Sequence, residues 1–489
     1  MNKLFHWVRL PLAACLLAGA AWAQTPDAPG MPQAGPPRPI EIALPTDLRL
    51  PNGLRVVVAQ RPGVRLVTAE LLVLSGAEAD PPRAAGLASM TAALLTRGTQ
   101  RHGANALARA AESLGGALES GAGWQQASVG MTVAVPKLDA ALALIAEVVR
   151  EPAFAPAEIE RLRAQTLDEL TVAYTQPGVL AGLATRRMLY GAGPYGHPAG
   201  GTPASLRRIG RADLVALHDA RYRPDRAVLI LAGDLDAASA RDLAARHFGD
   251  WQAPPTPPGA LADAAPNAPL AQGTTVIDLP QAGQSAVIVS MPVPAPGPER
   301  ATAVVTNAVL GGGYSSRLNL EIRVRRGLSY GADSGLELQP GGGSVRAVVQ
   351  TKNESAAEVV GLVQAELDRL ATEPVGADEL AARKAMLIGQ VSRSVETTAG
   401  LAASVAGLVV EGRPLSDLRD RIDALQAVDP AAVQRYAAAH FGAAGRRVVV
   451  AGQAARFIEA LRARSPGVVE VPARGIDFDA AAGLEAHSP

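Results

Sequence analysis

"RADLVALHDARYRPDRAVLILAGDLD", residues 211–236, and "DPAAVQRYAAAHFGAAGRRVVVAGQA", residues 429–454, read as one unit written twice. Each opens on an amphipathic helix, turns, runs through an unbroken apolar strand and ends in a glycine-containing turn, and an Ala-rich helix follows both. The beginnings of the two halves also correspond. The strand "RLVTAELLVLSGA" (65–77) leads to a helix from Ala84, and the strand "QSAVIVSMPVP" (284–294) leads to one from about Glu299. Alternating strands mixed with long amphipathic helices such as "LDAALALIAEVVREP" (138–152) predict an α+β fold. We expect two homologous domains, each a mostly antiparallel sheet with helices packed on one face. A length of 489 residues agrees, since single cores stop growing well below that size.

Composition divides the chain further. "MNKLFHWVRLPLAACLLAGAAWAQ" has the anatomy of a secretory signal: Lys3 and Arg9 in a basic start, an apolar run from Leu10, and small residues at Ala21 and Ala23. Cleavage after Ala23 is expected, which makes the protein periplasmic or secreted. A lipid anchor at Cys15, in "LAAC", is the alternative. The boundaries read as signal 1–23, a proline-rich leader 24–40, a first domain 41–252, a linker 253–273, a second domain 274–474 and a tail 475–489.

Several functions are excluded at this level. Cys15 is the one cysteine and leaves with the signal, so the mature chain has neither thiol catalysis nor thiolate metal sites. The 46 basic and 46 acidic residues become 44 and 46 without Lys3 and Arg9, and no basic run offers a nucleic-acid surface. Beyond the signal no apolar stretch is long enough to span a membrane. "GGGYSS" (311–316) lacks the Gly-Lys-Ser/Thr ending of a phosphate-binding loop and reads as a helix-terminal loop permitting close backbone approach. The histidines are His6, His102, His197, His218, His247, His440 and His487, no two of them four apart; His197 and His218 read as turn and helix residues.

Five segments in order, "LPNGLRVVVAQRPG" (50–63), "GLASMTAALLTRGTQ" (86–100), "HPAGGTPASLRRIGRADLVALHDARYRP" (197–224), "AVLILAGDLD" (227–236) and "LGGGYSSRLNLEIRVRRGLSYGADS" (310–334), resemble the M16 peptidases, the pitrilysin and insulinase-like family that includes the mitochondrial processing peptidase subunits. The resemblance covers about residues 42–472. It implies a clam-shell half built of two homologous domains. Active members carry His-x-x-Glu-His on the first helix, where two imidazoles one turn apart bind zinc and the glutamate deprotonates the bound water. Here those positions hold Ser89, Ala92 and Ala93. The family's third ligand corresponds to Glu169 in "AQTLDELTVAY" (164–174), and one carboxylate does not replace two imidazoles. No cofactor is expected in this chain. The helix itself is explained as core, with Leu87, Met90, Leu94 and Leu95 at helical spacing.

The resemblance also implies what is kept. An arginine and a tyrosine seven residues apart, facing the catalytic chamber in active relatives, correspond to Arg323 and Tyr330 in "EIRVRRGLSY" (321–330). A guanidinium offers forked donors to a carbonyl or carboxylate, and a phenol donates to an oxyanion. Two plain alternatives stand beside this: Arg323 as one more solvated charge next to Arg325 and Arg326, and Tyr330 as a half-buried strand residue. In "ALESGAGWQQASVGMTVAV" (117–135), Gly121, Ala122 and Gly123 correspond to the edge strand to which substrate pairs in the family, with Trp124 read as packing. Loss of the metal box with retention of Arg and Tyr implies an exported non-catalytic subunit of a heterodimeric zinc endopeptidase. It would handle extended or unfolded peptides with a homologous zinc-bearing partner. The alternative is a peptide-binding or structural pseudopeptidase.

Overall fold

A computed structural model describes residues 42–81, 83–255, 273–295, 297–465, 467–479 and 484. The signal, Cys15 and the leader lie outside these residues, as do most of the linker (256–272) and most of the tail.

The unit written twice in the sequence forms the centre of two sheets. The first contains β1 (Thr46–Arg49), β2 (Arg55–Gln60), β3 (Leu66–Val73), β4 (Glu119–Ala122), β5 (Ala127–Ala134) and β6 (Ala227–Gly233), in the order β1-β2-β6-β3-β5-β4. The second contains β7 (Gly273–Asp278), β8 (Ser285–Val293), β9 (Ala332–Gln339), β10 (Gly342–Thr351), β11 (Arg447–Gly452) and β12 (Val469–Pro472), in the order β12-β7-β11-β8-β10-β9. β2 runs parallel to β6 and β7 parallel to β11 at equivalent places, and β3, β5 and β4, like β8, β10 and β9, continue antiparallel. The outermost strands differ: β1 is antiparallel to β2, whereas β12, from the far end of the chain, is parallel to β7.

Both repeats end in a glycine for a steric reason. At Gly233 φ is +148°, and a Cβ would stand 2.1 Å from the Leu66 carbonyl oxygen of the neighbouring strand. At Gly452 it would stand 2.1 Å from Ser285 Oγ. Asp236 then caps the helix Ala237–Phe248 by accepting from the Ala238 and Ser239 N–H groups at 2.9 Å.

Helices cover one face of each sheet, as expected. The helices Leu87–Leu95, Leu138–Arg150 and Ala237–Phe248 enclose the first core, while Arg300–Leu310, Ala356–Thr372 and Pro430–His440 enclose the second. The opposite faces hold a feature the helical patterns did not announce. The helix Thr398–Val410, from the second half, lays Leu401, Ala402, Val405, Leu408 and Val409 on Val57, Leu72, Val228 and Ile230 of the first sheet. Reciprocally, Pro177–Tyr190 of the first half sets Leu180, Ala181, Ala184 and Met188 against Ile277, Ile288 and Val449 of the second. Each half thus lends a helix to the other, and residues from Ile42 onward make one compact unit.

Strand burial follows from this exchange. β6 (AVLILAG) and β11 (RVVVAG) lie under helices on both sides and are buried at every residue. β5 (ASVGMTVA) extends past the lent helix and alternates, with Ala127, Val129, Met131 and Val133 inward. The start of the tail returns to the first half. Phe478 is buried against Tyr174, and the Asp479 carboxylate accepts from Thr202 Oγ1 at 2.9 Å and from Arg208 at 3.1 Å.

Candidate functional site

The helix Leu87–Leu95 starts where Gly86 adopts φ +91°; a Cβ there would meet Gly201 Cα at 2.8 Å, so the "HPAGG" loop rests on the helix entry. Asp80 closes the same end, its carboxylate accepting from the Gly86 and Ala88 N–H groups at 2.7 and 2.8 Å. Leu87, Met90, Leu94 and Leu95 point into the core. Ser89 donates to the Ala199 carbonyl at 2.8 Å. Ala92 is fully buried, and its carbonyl accepts from Ser120 Oγ of β4 at 2.7 Å. Ala93 packs against the same core. Glu169, on the helix Pro156–Ala173, is exposed and accepts from Gln165 at 2.9 Å.

These residues do not fit a zinc ion. The two ligand positions and the base position present one hydroxyl, already committed to a carbonyl, and two methyl groups. Among the described residues no three His, Cys, Asp or Glu side chains gather as a metal-ligand group. No metal-dependent step is assigned to this chain. The lone histidines have other partners: buried His218 donates to the Val149 carbonyl at 2.7 Å, with burial holding its pKa down, and His102 bonds Glu147 at 2.8 Å.

Gly121, Ala122 and Gly123 are at the rim. Gly121 and Ala122 belong to β4, which pairs only with β5 and is the outermost strand of its sheet. Gly123 follows it, accepting from the Ala77 N–H at 2.9 Å and donating to the Gln126 carbonyl at 2.7 Å. Trp124 packs against Tyr195 and His197, with the Arg186 guanidinium 4.4 Å from its ring centroid. Arg186 in turn donates from Nη2 to both carboxylate oxygens of Glu337 on β9 at 2.7 and 2.8 Å, and Glu337 also takes Arg346 at 2.9 Å. This chain of contacts fastens the first half's edge hairpin to the second half. Glu78 stands beside it with its carboxyl pushed up to about 7 by burial.

Arg323 and Tyr330 come together in the second half. Residues Asn319–Arg325 form a π-helical segment, a rare geometry often found at functional positions. Its two arginines and Arg326, which follows it, meet different fates. Arg325 and Arg326 pair with Glu321 at 2.8 and 2.9 Å, and Arg326 also reaches Glu358. Arg323 has no carboxylate partner among the described residues; its guanidinium lies 5.0 Å from the Tyr314 ring centroid and 5.5 Å from that of Tyr330. Tyr330 is 94% exposed and Tyr314 68%. Tyr330 is therefore a turn residue standing out just before β9, not a half-buried strand residue.

Buried groups hold this surface in place. Asn319 donates to the Tyr314 carbonyl at 2.5 Å and accepts from the Ala332 N–H at 3.4 Å, tying together the segments that carry the two tyrosines. Arg383 donates to Ser315 O and Oγ at 2.8 and 2.7 Å, and Arg317 forks onto Glu379 at 2.9 Å. Close approach at the glycines is real: a Cβ on Gly311 would lie 2.3 Å from Ser334 N. Tyr314 is the member that spacing missed, because it reaches Arg323 through the fold. No hydrogen bond, ion pair or ring contact among the described residues links Arg323 or Tyr330 to the first helix or to β4.

Two family descriptions match successive stretches of the chain: "Insulinase (Peptidase family M16)" over residues 55–194 of the first half, and "Peptidase M16 inactive domain" over residues 208–387, from the end of the first half into the second. The chain belongs to the M16 family. An uncharacterized zinc protease of Mycobacterium leprae is 28% identical over 354 residues, 71% of this chain and 78% of that protein. The mitochondrial cytochrome b-c1 complex subunit 1 of Bos taurus is 25% identical over 200 residues, 41% of this chain and 42% of that one. The crystal structure of a peptidase M16 inactive domain from Pseudomonas fluorescens superposes with a TM-score of 0.77 at 27% identity, covering 88% of this chain and all of that one. A protease from Helicobacter pylori shares the fold with a TM-score of 0.76 at 18% identity, over 84% of this chain and 100% of that one. Among the described residues of this M16 chain, no helix is long and apolar enough to cross a membrane.

Proposed function

We propose that this M16 chain is an exported, non-catalytic subunit of a heterodimeric zinc endopeptidase acting on extended or unfolded peptides. A homologous partner carries the zinc and the His-x-x-Glu-His helix. This chain supplies Arg323, whose forked donors hold a substrate carbonyl or carboxylate, and Tyr330, whose phenol donates to the oxyanion formed at the scissile carbon.

One observation carries the reading. Arg323 is left without a carboxylate between two exposed phenol rings while both neighbouring arginines are neutralised. A merely solvating charge gains nothing from buried groups that fix the loops on either side of it, as Asn319 and Arg383 do here. The first half supports the same view from the other side, since the metal positions have been absorbed into hydrogen bonding and core packing.

The test is reconstitution with a zinc-bearing M16 partner from the same cell. Tyr330→Phe should lower turnover by about 100-fold, as loss of an oxyanion donor does. Turnover by the pair that ignores Tyr330→Phe and Arg323→Gln would leave the second reading, a peptide-binding or structural pseudopeptidase. The likeness to the bovine respiratory-complex subunit favours that one.

A further inference from the structure

The second half contains a cavity at the place where the first half has its degenerate metal site, and it is differently equipped. The helix Arg300–Leu310 stands to β9 as Leu87–Leu95 stands to β4: Ser334 donates to the Asn307 carbonyl at 3.2 Å as Ser120 donates to that of Ala92. Between this helix and β9 lies a cavity of about 380 Å³. Val304, Leu336, Leu338 and Leu387 give it an apolar part, Asn307 and Ser334 line it as well, and Arg300, Glu411 and Gln390 supply its remaining polar groups, termed its polar end.

The polar end is short of negative charge. Arg300 pairs with Glu411 at 2.9 Å, Arg413 reaches Glu411 at 3.6 Å and Asp417 at 2.6 Å, and Arg421 follows Asp417 one turn later on the helix Asp417–Gln426. Arg300 and Arg413 thus take both carboxylates, and the third guanidinium of the group, Arg421, is left over. Arg421 has no carboxylate within ion-pair distance among the described residues, only Ser394 Oγ at 3.4 Å. Arg300 Nη1 and Arg421 Nε are buried N–H groups without an acceptor, while Glu411 Oε2, buried and without a hydrogen bond, has only the Arg413 guanidinium at 3.6 Å. Such donors are costly to leave unmade, and a guanidinium is suited to grip a carboxylate. Burial and the neighbouring guanidiniums both push the Arg421 pKa down, as expected where an anion is lacking.

We propose that this cavity binds a carboxylate carried on a short apolar group, with Arg300 as its direct partner, Arg421 supplying the excess positive charge behind it and the Val304–Leu336–Leu338 wall taking the apolar part. The C-terminal residue of a peptide and a free medium-chain fatty acid both have this chemistry. The cavity lies in the range of small-ligand pockets and is large enough for either. The site does not depend on Arg323 or Tyr330, so it stands or falls separately from the proposed peptidase role.

The experiment is calorimetric titration of the full exported chain with three probes: acetyl-Ala-Ala-Leu with a free carboxylate, the same peptide as its C-terminal amide, and octanoate. The two acids should bind and the amide about tenfold or more weaker, the span of a charge-assisted hydrogen bond. Tighter binding of the peptide acid names a peptide terminus, and tighter binding of octanoate a fatty acid. Arg300→Gln should cost about tenfold or more, Arg300→Lys less, and Arg421→Gln a few-fold, since it acts through charge without contact. Because Arg300→Gln also removes the nearer of Glu411's two ion-pair partners, Val304→Phe is the second variant; it fills the cavity, leaves every charge in place and should abolish binding. Equal binding of acid and amide, binding indifferent to Val304→Phe, or no heat from either acid at millimolar concentration would overturn the proposal.

Discussion

Replacing Ala92 by glutamate would restore the family's catalytic base in name and should damage this chain. Ala92 is fully buried in the first core, and Ser120 is already bound to its carbonyl. A carboxylate placed there meets methyl groups and no built-in cation. Burial of this kind raises a carboxyl pKa by about 3 units or more, and each unit corresponds to about 1.4 kcal/mol. The sign follows from proton binding. The folded variant would keep a proton that the unfolded chain releases above about pH 4.3, so stability falls as pH rises from there towards about 7. Ala92→Gln brings the same volume without the charge and should show only the overpacking and amide cost, about 1–3 kcal/mol at any pH. Urea unfolding at pH 5 and pH 8, each variant referred to the native chain at the same pH, separates the two. We expect the glutamate variant to lose about 4 kcal/mol more than the glutamine variant at pH 8 and only about 1 kcal/mol more at pH 5. Equal loss at pH 8 would mean that position 92 opens to water and would refute its place in a closed apolar core.

Four further outcomes follow from the same structure. Glu78 sits at about 7 in the folded chain against an ordinary 4.5, so it lowers stability as pH rises through that window; Glu78→Gln should raise stability at pH 8 by about 1–2 kcal/mol, discounted for partial solvent access, and change almost nothing below about pH 4. Leu408→Ala, in the lent helix, should cost about 2–5 kcal/mol and lower the melting temperature of both halves together in a single calorimetric transition. Gly233→Ala drives a methyl to 2.1 Å from the Leu66 carbonyl and should cost about 3 kcal/mol or more, seen as loss of soluble protein or a much reduced melting temperature. Tyr314→Ala, at an exposed ring, should leave stability within about 0.5 kcal/mol of native while raising KM of a reconstituted pair.

The duplication was legible because each central strand carries a glycine at the point where a side chain would strike its neighbour, and the turn after it is marked by that residue. The buried face of the first helix was legible from the spacing of Leu87, Met90, Leu94 and Leu95. Helix exchange was written more faintly. "AVLIL" and "VVVAG" are apolar at consecutive positions, which strands need only when both faces are covered, yet periodicity does not say which helix covers the second face. Arg323 and Tyr330 were singled out by the family resemblance, and spacing alone does not separate Arg323 from Arg325 and Arg326; the fold does, because Glu321 pairs with both of the others. Tyr314 carried no signal, because its relation to Arg323 passes through Asn319 and a turn. The charge shortage at Arg421 was equally hidden, since it arises from three segments between residues 300 and 421 that meet only in the fold.

The lent helices also set an order of events during synthesis. The first sheet is complete once β6 has been made, but the helix that belongs on its second face, with Leu401 to Val409, is translated some 170 residues later. Until then Val57, Leu72, Val228 and Ile230 offer a bare apolar surface, the kind of patch that aggregates or recruits a chaperone. The first half is thus a client of its own C-terminal half. Expressed alone, residues 42–252 should be insoluble, whereas the two halves produced as separate polypeptides in one cell should find each other and assemble without the linker.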